Sequence, residues 1–410
     1  MTPPPPRALA PAMLATLLAA CLIALLSFGV RSAFGLFTDP ISRELGLSRE
    51  VYAIAIAVQN LAWGLAQPLA GFVADRRGAR PVLLAGAALY AAGIVGLAFA
   101  TTPAQVVVTA GLLVGLGMGG ASYITVLAAL GRAMPEAQRS WALGLGTAAG
   151  SLGQFVVVPL TQAVIGVAGW RSGAWMMAAA TALTLLVALA VRGDRPQAPA
   201  ASAAPRTSAL AVVGTALRHP SYVLLVLGFF VCGFQLAFIT THFPAYLADR
   251  GLGASVASWA IAMVGLFNVA GAYLAGVWGG RGSRKNLLAC VYAGRALVLL
   301  LFVLLPTTPA SVLAFGAAMG LLWLSTVPPT SALVATFFGT RYMATLFGLA
   351  FFSHQVGSFF GVYLGGRLYA RTGSYDLVWW CCIALSIVAA LVNLPIREDA
   401  SRAFARLAAT

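Results

Sequence analysis

The sequence predicts an all-α membrane protein: twelve transmembrane helices in two six-helix bundles. Three observations carry this expectation. Of 410 residues, 60% are hydrophobic and 9% charged, where a soluble domain carries about 25% charged residues. The apolar residues gather into twelve runs, each near the roughly 20 residues a helix needs to cross a bilayer. A shift of 205 residues carries Gly46 onto Gly251, Leu61 onto Leu266 and Gly71 onto Gly276, so the second half repeats the first.

In chain order, residues 1–11 form a Pro-rich tail with one Arg. The apolar run after it is too long for a signal-peptide core and has no clear cleavage site, so it reads as a retained first span. The first half holds runs at 12–37, 51–74, 81–101, 104–131, 139–167 and 171–192. The second half holds runs at 221–248, 254–279, 286–305, 310–337, 343–369 and 376–394. Residues 1–192 are therefore expected to form one bundle and 221–410 the other. Residues 193–220, with Pro196, Pro205 and three arginines but no sustained apolar run, read as a solvated cytoplasmic linker.

The net charge of +15 invites a nucleic-acid reading. The topology removes it, because 17 Lys/Arg fall on the side of the termini, six on the other and two inside spans. Such a bias orients a membrane protein with both termini in the cytoplasm, here of a bacterial inner membrane. The five cysteines all lie in apolar runs and read as packing residues. No H-E-x-x-H, P-loop, metal-ligand cluster or catalytic triad is present, so neither an enzyme nor a cofactor nor a metal is expected.

Two six-span repeats imply halves that rock about a site at the midplane, the alternating access of a secondary transporter. Glycines at helical spacing (Gly111, Gly115 and Gly119; Gly146, Gly150 and Gly153; Gly357, Gly361 and Gly365) allow close helix approach. Pro328-Pro329 in the tenth span predicts a local break, whose freed carbonyls need partners within the protein.

Chemistry-bearing residues at span depth are few. Arg31 in the first span and Arg295 in the ninth are intramembrane cations with no carboxylate at matching depth. That imbalance favours an anionic substrate; snorkelling for Arg31, and bracing of backbone carbonyls for Arg295, are the structural alternatives. His354 is the candidate proton carrier, because histidine is the side chain that ordinarily changes charge near neutral pH. Asn60, Tyr123, Gln235, Asn268 and Gln355 complete the candidate substrate set, each alternatively an interhelical hydrogen bond.

The charged turn Gly71-Phe72-Val73-Ala74-Asp75-Arg76-Arg77-Gly78-Ala79-Arg80 lies between the second and third spans. Its weaker copy is Gly276-Val277-Trp278-Gly279-Gly280-Arg281-Gly282-Ser283-Arg284-Lys285, where Gly280 replaces the acid. This G-x-x-x-D-R-x-G-x-R pattern resembles the signature loop of the major facilitator superfamily, over the whole chain. The resemblance implies that Gly71, Asp75, Arg76, Gly78 and Arg80 latch helices on the cytoplasmic side, and that the second copy lacks its latch acid.

Within that superfamily the chain looks most like the monocarboxylate porter and oxalate/formate antiporter branch. Phe34-Gly35-Leu36-Phe37 before Pro40, Gly46-Leu47-Ser48, and Thr372-Gly373-Ser374-Tyr375-Asp376 carry that likeness. It departs from the branch where anions are bound. Leu36 stands near the first-span Lys, Asn268 and Ala272 near the eighth-span charges, and His354-Gln355 near the eleventh-span Lys. The expectation is a monomeric transporter of a small organic anion, by proton symport or anion exchange. Its partners are the substrate, protons and the lipid bilayer, with no nucleic acid. An exporter of a neutral or cationic compound, or a transporter-like membrane sensor, is the alternative.

Overall fold

The computed structural model describes residues 11–191, 209–339 and 343–401. Sixteen α-helices are described, with no strand among the described residues. The first half comprises α1 (Pro11–Ala33), α2 (Thr38–Leu45), α3 (Arg49–Arg77), α4 (Ala79–Ala98), α5 (Pro103–Val106), a π-helix (Val107–Leu113), α6 (Val114–Ala121), α7 (Tyr123–Ala133) and α8 (Glu136–Ala188). After α9 (Ala209–Leu217) come α10 (Pro220–Asp249), α11 (Ala254–Arg281), α12 (Arg284–Leu304), α13 (Pro309–Leu322), α14 (Val327–Phe338), α15 (Met343–Thr372) and α16 (Asp376–Asn393).

Eleven continuous stretches are long and apolar enough to cross a membrane. The expected twelfth is inside α8, where Gly169 takes φ 80° and ψ 167°. Only glycine adopts that conformation without strain, so the chain reverses there and the fifth and sixth spans part. The stretch expected to be solvated throughout holds α9, an apolar helix against α10 and α15 with Val212 and Ala216 buried. Its seven hydrophobic residues in nine are too short a run to stand out as an element.

The repeat is visible in local chemistry. Thr102 and Gln105 form a capping box opening the fourth span, and Thr308 and Ser311 form the matching box of the tenth. Each satisfies amide donors that a helix start leaves free. Both spans are then interrupted. The tenth breaks over residues 323–326, and Pro328-Pro329 start α14, where missing amide protons cost nothing. The fourth breaks at Ser122, which is extended at φ −78° and ψ 156°.

The broken tenth span is filled from inside its own half. Arg295 on α12 is completely buried. Its Nε and one terminal nitrogen donate to the Leu322 carbonyl at 3.2 and 2.8 Å, and that nitrogen also reaches the Trp323 carbonyl at 2.6 Å. The other terminal nitrogen donates to Gln235 Oε1 at 3.4 Å. The Leu324 amide donates to Asn268 Oδ1 at 2.9 Å. A break at this depth survives only because these groups stand in for the lost helix bonds.

Glycines set the helix spacing. A Cβ at Gly153 would lie 1.9 Å from the Leu25 carbonyl, and one at Gly233 1.8 Å from that of His354, so α1 packs onto α8 and α10 onto α15 backbone to backbone. Gly111, Gly115 and Gly119 face α3 in the same way.

The halves meet at the end distal to residues 11 and 401. Arg49 at the start of α3 pairs with Asp39 at 2.7 Å and bidentately with Asp249 of α10 at 2.6 and 2.8 Å. Glu50 pairs with Arg367 of α15 at 2.8 Å. Beside them a Cβ at Gly35 would meet the Thr240 carbonyl at 2.0 Å, and one at Gly366 would meet Ala53 Cβ at 2.3 Å. Contact continues at mid-depth, where Asn268 Nδ2 donates to Ser151 Oγ at 2.9 Å and Gln355 Nε2 to the Asn60 carbonyl at 3.3 Å. Toward the proximal end of the same helices, a Cβ at Gly71, Gly144, Gly276 or Gly348 meets nothing within 4 Å. The ion pairs between the halves thus cluster at the distal end, beside a cavity of about 650 Å³ lined by Asp39, Glu44 and Trp170 of the first half and Pro244 and Ala254 of the second.

The second charged turn acquires its carboxylate from the C-terminal tail. Glu398 Oε1 accepts from Ser283 Oγ at 2.6 Å and from the Lys285 amide at 3.0 Å, and the second oxygen lies 3.9 Å from Arg284. It thus caps the N-terminus of α12, where a negative charge is favoured. Partial burial pushes its carboxyl up, but these donors outweigh burial and hold it below its ordinary value.

Two predictions follow from this packing. Gly35→Ala and Gly366→Val will wedge the distal seal, lengthening spin-label distances across that end, while Gly144→Ala leaves them unchanged; equal distances in all three would contradict the assignment of the seal. A carboxyl with a lowered folded pKa stabilises above its unfolded pKa and loses that contribution as pH falls through the folded value. Glu398→Gln will therefore unfold at a lower temperature than wild type at pH 7, the gap closing as the pH falls through the folded carboxyl's lowered value.

Candidate functional site

The first span places Arg31 between the halves. Gly29 and Gly153 fix α1 against α8, and Gly35, one turn beyond Arg31, touches the Thr240 carbonyl of the other half. The guanidinium lies 4.8 Å over the Trp63 ring. It has no carboxylate and no hydrogen-bond acceptor in reach among the described residues. Two small voids adjoin it, each holding little more than a water molecule. One is lined by Phe28, Trp63, Tyr90 and Met118, with Ser27 and Ser122. The other is polar, lined by Gln59, Asn60, Thr240 and Thr241.

Tyr90 is buried on α4, and its hydroxyl has no partner. Its neighbours are already committed. Gln67 Oε1 accepts from Trp63 Nε1 at 3.0 Å and from Ser122 Oγ at 2.8 Å, while Gln67 Nε2 donates to Thr125 Oγ1 at 3.3 Å. The Ser122 break is therefore closed by side chains of α3 and α7, leaving Arg31 and Tyr90 as its free polar groups.

The repeat sharpens this contrast. The 205-residue shift carries Tyr90 onto Arg295, and Arg31 to within one residue of Gln235. In the second half the third-span cation and the first-span amide satisfy each other and the broken helix. In the first half the cation comes from the first span and the phenol from the third, and neither has an internal acceptor. Tyr90 escaped the candidate set because it reads as an ordinary aromatic core residue. Applying the repeat shift to Arg295 would have found it.

The other candidates divide. Asn60 Nδ2 donates to the Ile56 carbonyl at 2.8 Å, with its amide beside Arg31 in the polar void. Gln355 Oε1 lies 3.1 Å from His354 Nδ1, and the Phe351 ring stacks on His354 at 5.9 Å. Phe351 also meets Trp63 edge-on at 5.2 Å, so an aromatic seam joins Arg31 of one half to His354 of the other. Gln235 donates to the Cys382 carbonyl at 2.8 Å and to Ser386 Oγ, tying α10 to α16. Asn268 bridges Ser151 and the tenth-span break. Arg295 is saturated with acceptors, so of the two intramembrane cations only Arg31 faces a void. The Tyr123 side chain lies outside the described residues.

At the proximal turn, Gly78 ends α3 with φ 84°. Arg76 lies 4.0 Å over Phe72, Arg80 is exposed, and Gly71 has open space where a Cβ would be. The Asp75 side chain lies outside the described residues, so the latch itself is not seen here.

Comparison with known proteins places this geometry. The model of the Major Facilitator Superfamily matches residues 20–361 and 225–409. The chain is 25% identical over 370 residues to the uncharacterized MFS-type transporter YcxA of Bacillus subtilis, covering 89% of this chain and 90% of that protein. It is 27% identical to human monocarboxylate transporter 11, covering 85% and 75%, and 26% identical to the oxalate:formate antiporter of Oxalobacter formigenes, covering 87% and 84%. Among solved structures, a D-xylose-proton symporter superposes with a TM-score of 0.73 at 17% identity, over 93% of this chain and 97% of that one. At that identity the superposition shows the fold alone. Twelve spans, a six-span repeat and a family match over nearly the whole chain agree: the chain belongs to the major facilitator superfamily of membrane transporters, with relatives in its monocarboxylate and oxalate/formate branch.

Proposed function

We propose that this transporter carries a small organic anion of the monocarboxylate type by alternating access, through proton symport or anion exchange. One observation carries the reading: Arg31 is a cation at membrane depth with no internal counter-charge, whereas Arg295 is fully satisfied. An uncompensated cation in a span costs several kcal/mol, so a bound anion relieves a cost that the empty protein bears. The names of the relatives support the same class.

In this reading the two voids merge as the halves separate, and the anion sits between Arg31 of the first half and Thr240 of the second. Asn60, Gln355 and His354 form the floor, with His354 the proton carrier, since no carboxylate of the described residues lies at mid-depth. In this reading both termini lie in the cytoplasm of an inner membrane, as the bias of basic residues supports, and the protein is a monomer with its distal end outward. The distal ion pairs of Arg49 and Glu50 are its outer seal. Residues 1–192 and 221–410 move as the two bodies. The turn of Gly71, Asp75, Arg76, Gly78 and Arg80 latches the opposite state.

The test is uptake of labelled monocarboxylates into proteoliposomes with an acidic exterior. Wild type will show gradient-stimulated uptake. Arg31→Ala will lose about tenfold or more, the scale of a lost charge-assisted contact, and His354→Ala will lose stimulation by the gradient. Uptake of a neutral or cationic compound in place of acids, unaffected by Arg31→Ala, would instead establish the exporter.

A further inference from the structure

We infer that the substrate is a singly charged carboxylate with a flat apolar body, an aryl carboxylate, held by Arg31 and Tyr90. This deepens the anion reading above and rests on it.

The argument begins with the count of free polar groups. Around the void at Arg31, Ser122 is bonded to Gln67, and Ser27 Oγ faces the Ala24 carbonyl at 3.5 Å. The guanidinium and the buried Tyr90 hydroxyl remain, and both line this void. Together they offer one cation and one neutral donor, which matches one carboxylate. A second carboxylate would find no cation, because Arg295 is committed to the Leu322 and Trp323 carbonyls and Gln235. A dianion would therefore carry an unpaired charge into the membrane, at a cost of several kcal/mol.

The walls define the rest of the molecule. Beyond those two groups the void is faced by Phe28, Trp63, the Tyr90 ring and Met118. Aromatic faces and a thioether are matched by another flat, polarisable ring, through edge or offset contacts and sulfur–aromatic contact. A short aliphatic acid would satisfy Arg31 and leave this wall uncovered. The Trp63–Phe351 contact crosses between the halves. It closes over the ring of a seated ligand and sets the apolar end apart from the polar void at Asn60 and Thr240.

The test is equilibrium binding of labelled benzoate to the purified full chain in nanodiscs, with unlabelled competitors. Benzoate will bind, and benzamide, acetate and oxalate will each compete at least tenfold more weakly. Arg31→Gln will lose benzoate binding. Tyr90→Phe will weaken benzoate several-fold without altering the order of the competitors. Trp63→Leu will narrow the gap between benzoate and acetate, which a purely structural role for that ring would leave unchanged. Acetate competing as well as benzoate would overturn the aryl body while leaving an anion site intact. Tighter competition by oxalate would overturn the single charge. No displaceable benzoate binding in folded protein would overturn this inference alone, whereas benzamide competing equally would overturn both this inference and the anion reading beneath it. If Arg31→Gln does not fold, Arg31→Lys, which keeps the charge but loses the guanidinium fork, will bind benzoate more weakly than wild type; equal binding would count against the site.

Discussion

A backbone carbonyl inside a bilayer has no water to turn to, and this constraint governs the architecture of the protein. Two of its twelve spans are broken at corresponding places in the two halves. Each break frees carbonyls or amides that must be answered by side chains. In the second half the answer is complete, with Arg295 bonded to Gln235 and to two freed carbonyls and Asn268 accepting from the Leu324 amide. In the first half Gln67, Ser122 and Thr125 close the break, and Arg31 and Tyr90 are left over. The functional asymmetry of a nearly symmetric molecule is contained in that difference.

Motion requires surfaces that pack well and still part. The interior of each half is fixed by glycines that bring backbones into contact, as at Gly153 against Leu25 and Gly233 against His354. Between the halves, glycine contacts such as Gly35 against Thr240 and Gly366 against Ala53 are joined by polar ones. The polar contacts are ion pairs at the distal rim and a few amide and hydroxyl bonds at mid-depth. Partly exposed ion pairs each contribute little, about 0–1 kcal/mol, so the seal is specific in register without being strong. Exchange between facing states needs such an interface. The tail adds a third level, since Glu398 supplies to the second charged turn the carboxylate that its sequence lacks.

Much of this was legible in the residues. Hydropathy alone gave twelve spans, because lipid imposes one length and one composition on every crossing helix. The break at the tenth span followed from Pro328-Pro329, and the bracing of carbonyls by Arg295 was one of its two readings. Four features were not legible. The break at Ser122 has no proline to mark it; a serine there reads as an ordinary helix residue. Glu398 lies more than a hundred residues from the turn it caps, and nothing local links the two. Tyr90 is one aromatic residue among many, and its importance lies in a hydroxyl left without a partner, which only three dimensions reveal. The short α9 was hidden because nine residues fall below the length at which an apolar run stands out.

The central claim is that the two intramembrane arginines have opposite status, one structural and one held free for a ligand. Thermal unfolding of Arg31→Met and Arg295→Met in the same lipid, without added anion, tests it most directly. Arg295→Met orphans two carbonyls at membrane depth and is predicted to lose about 3 kcal/mol or more. Arg31→Met removes an uncompensated charge and is predicted to be as stable as wild type or more so, as expected where function has been kept at a cost in stability. Equal destabilisation by both substitutions would show that Arg31 has an internal partner and would contradict the account.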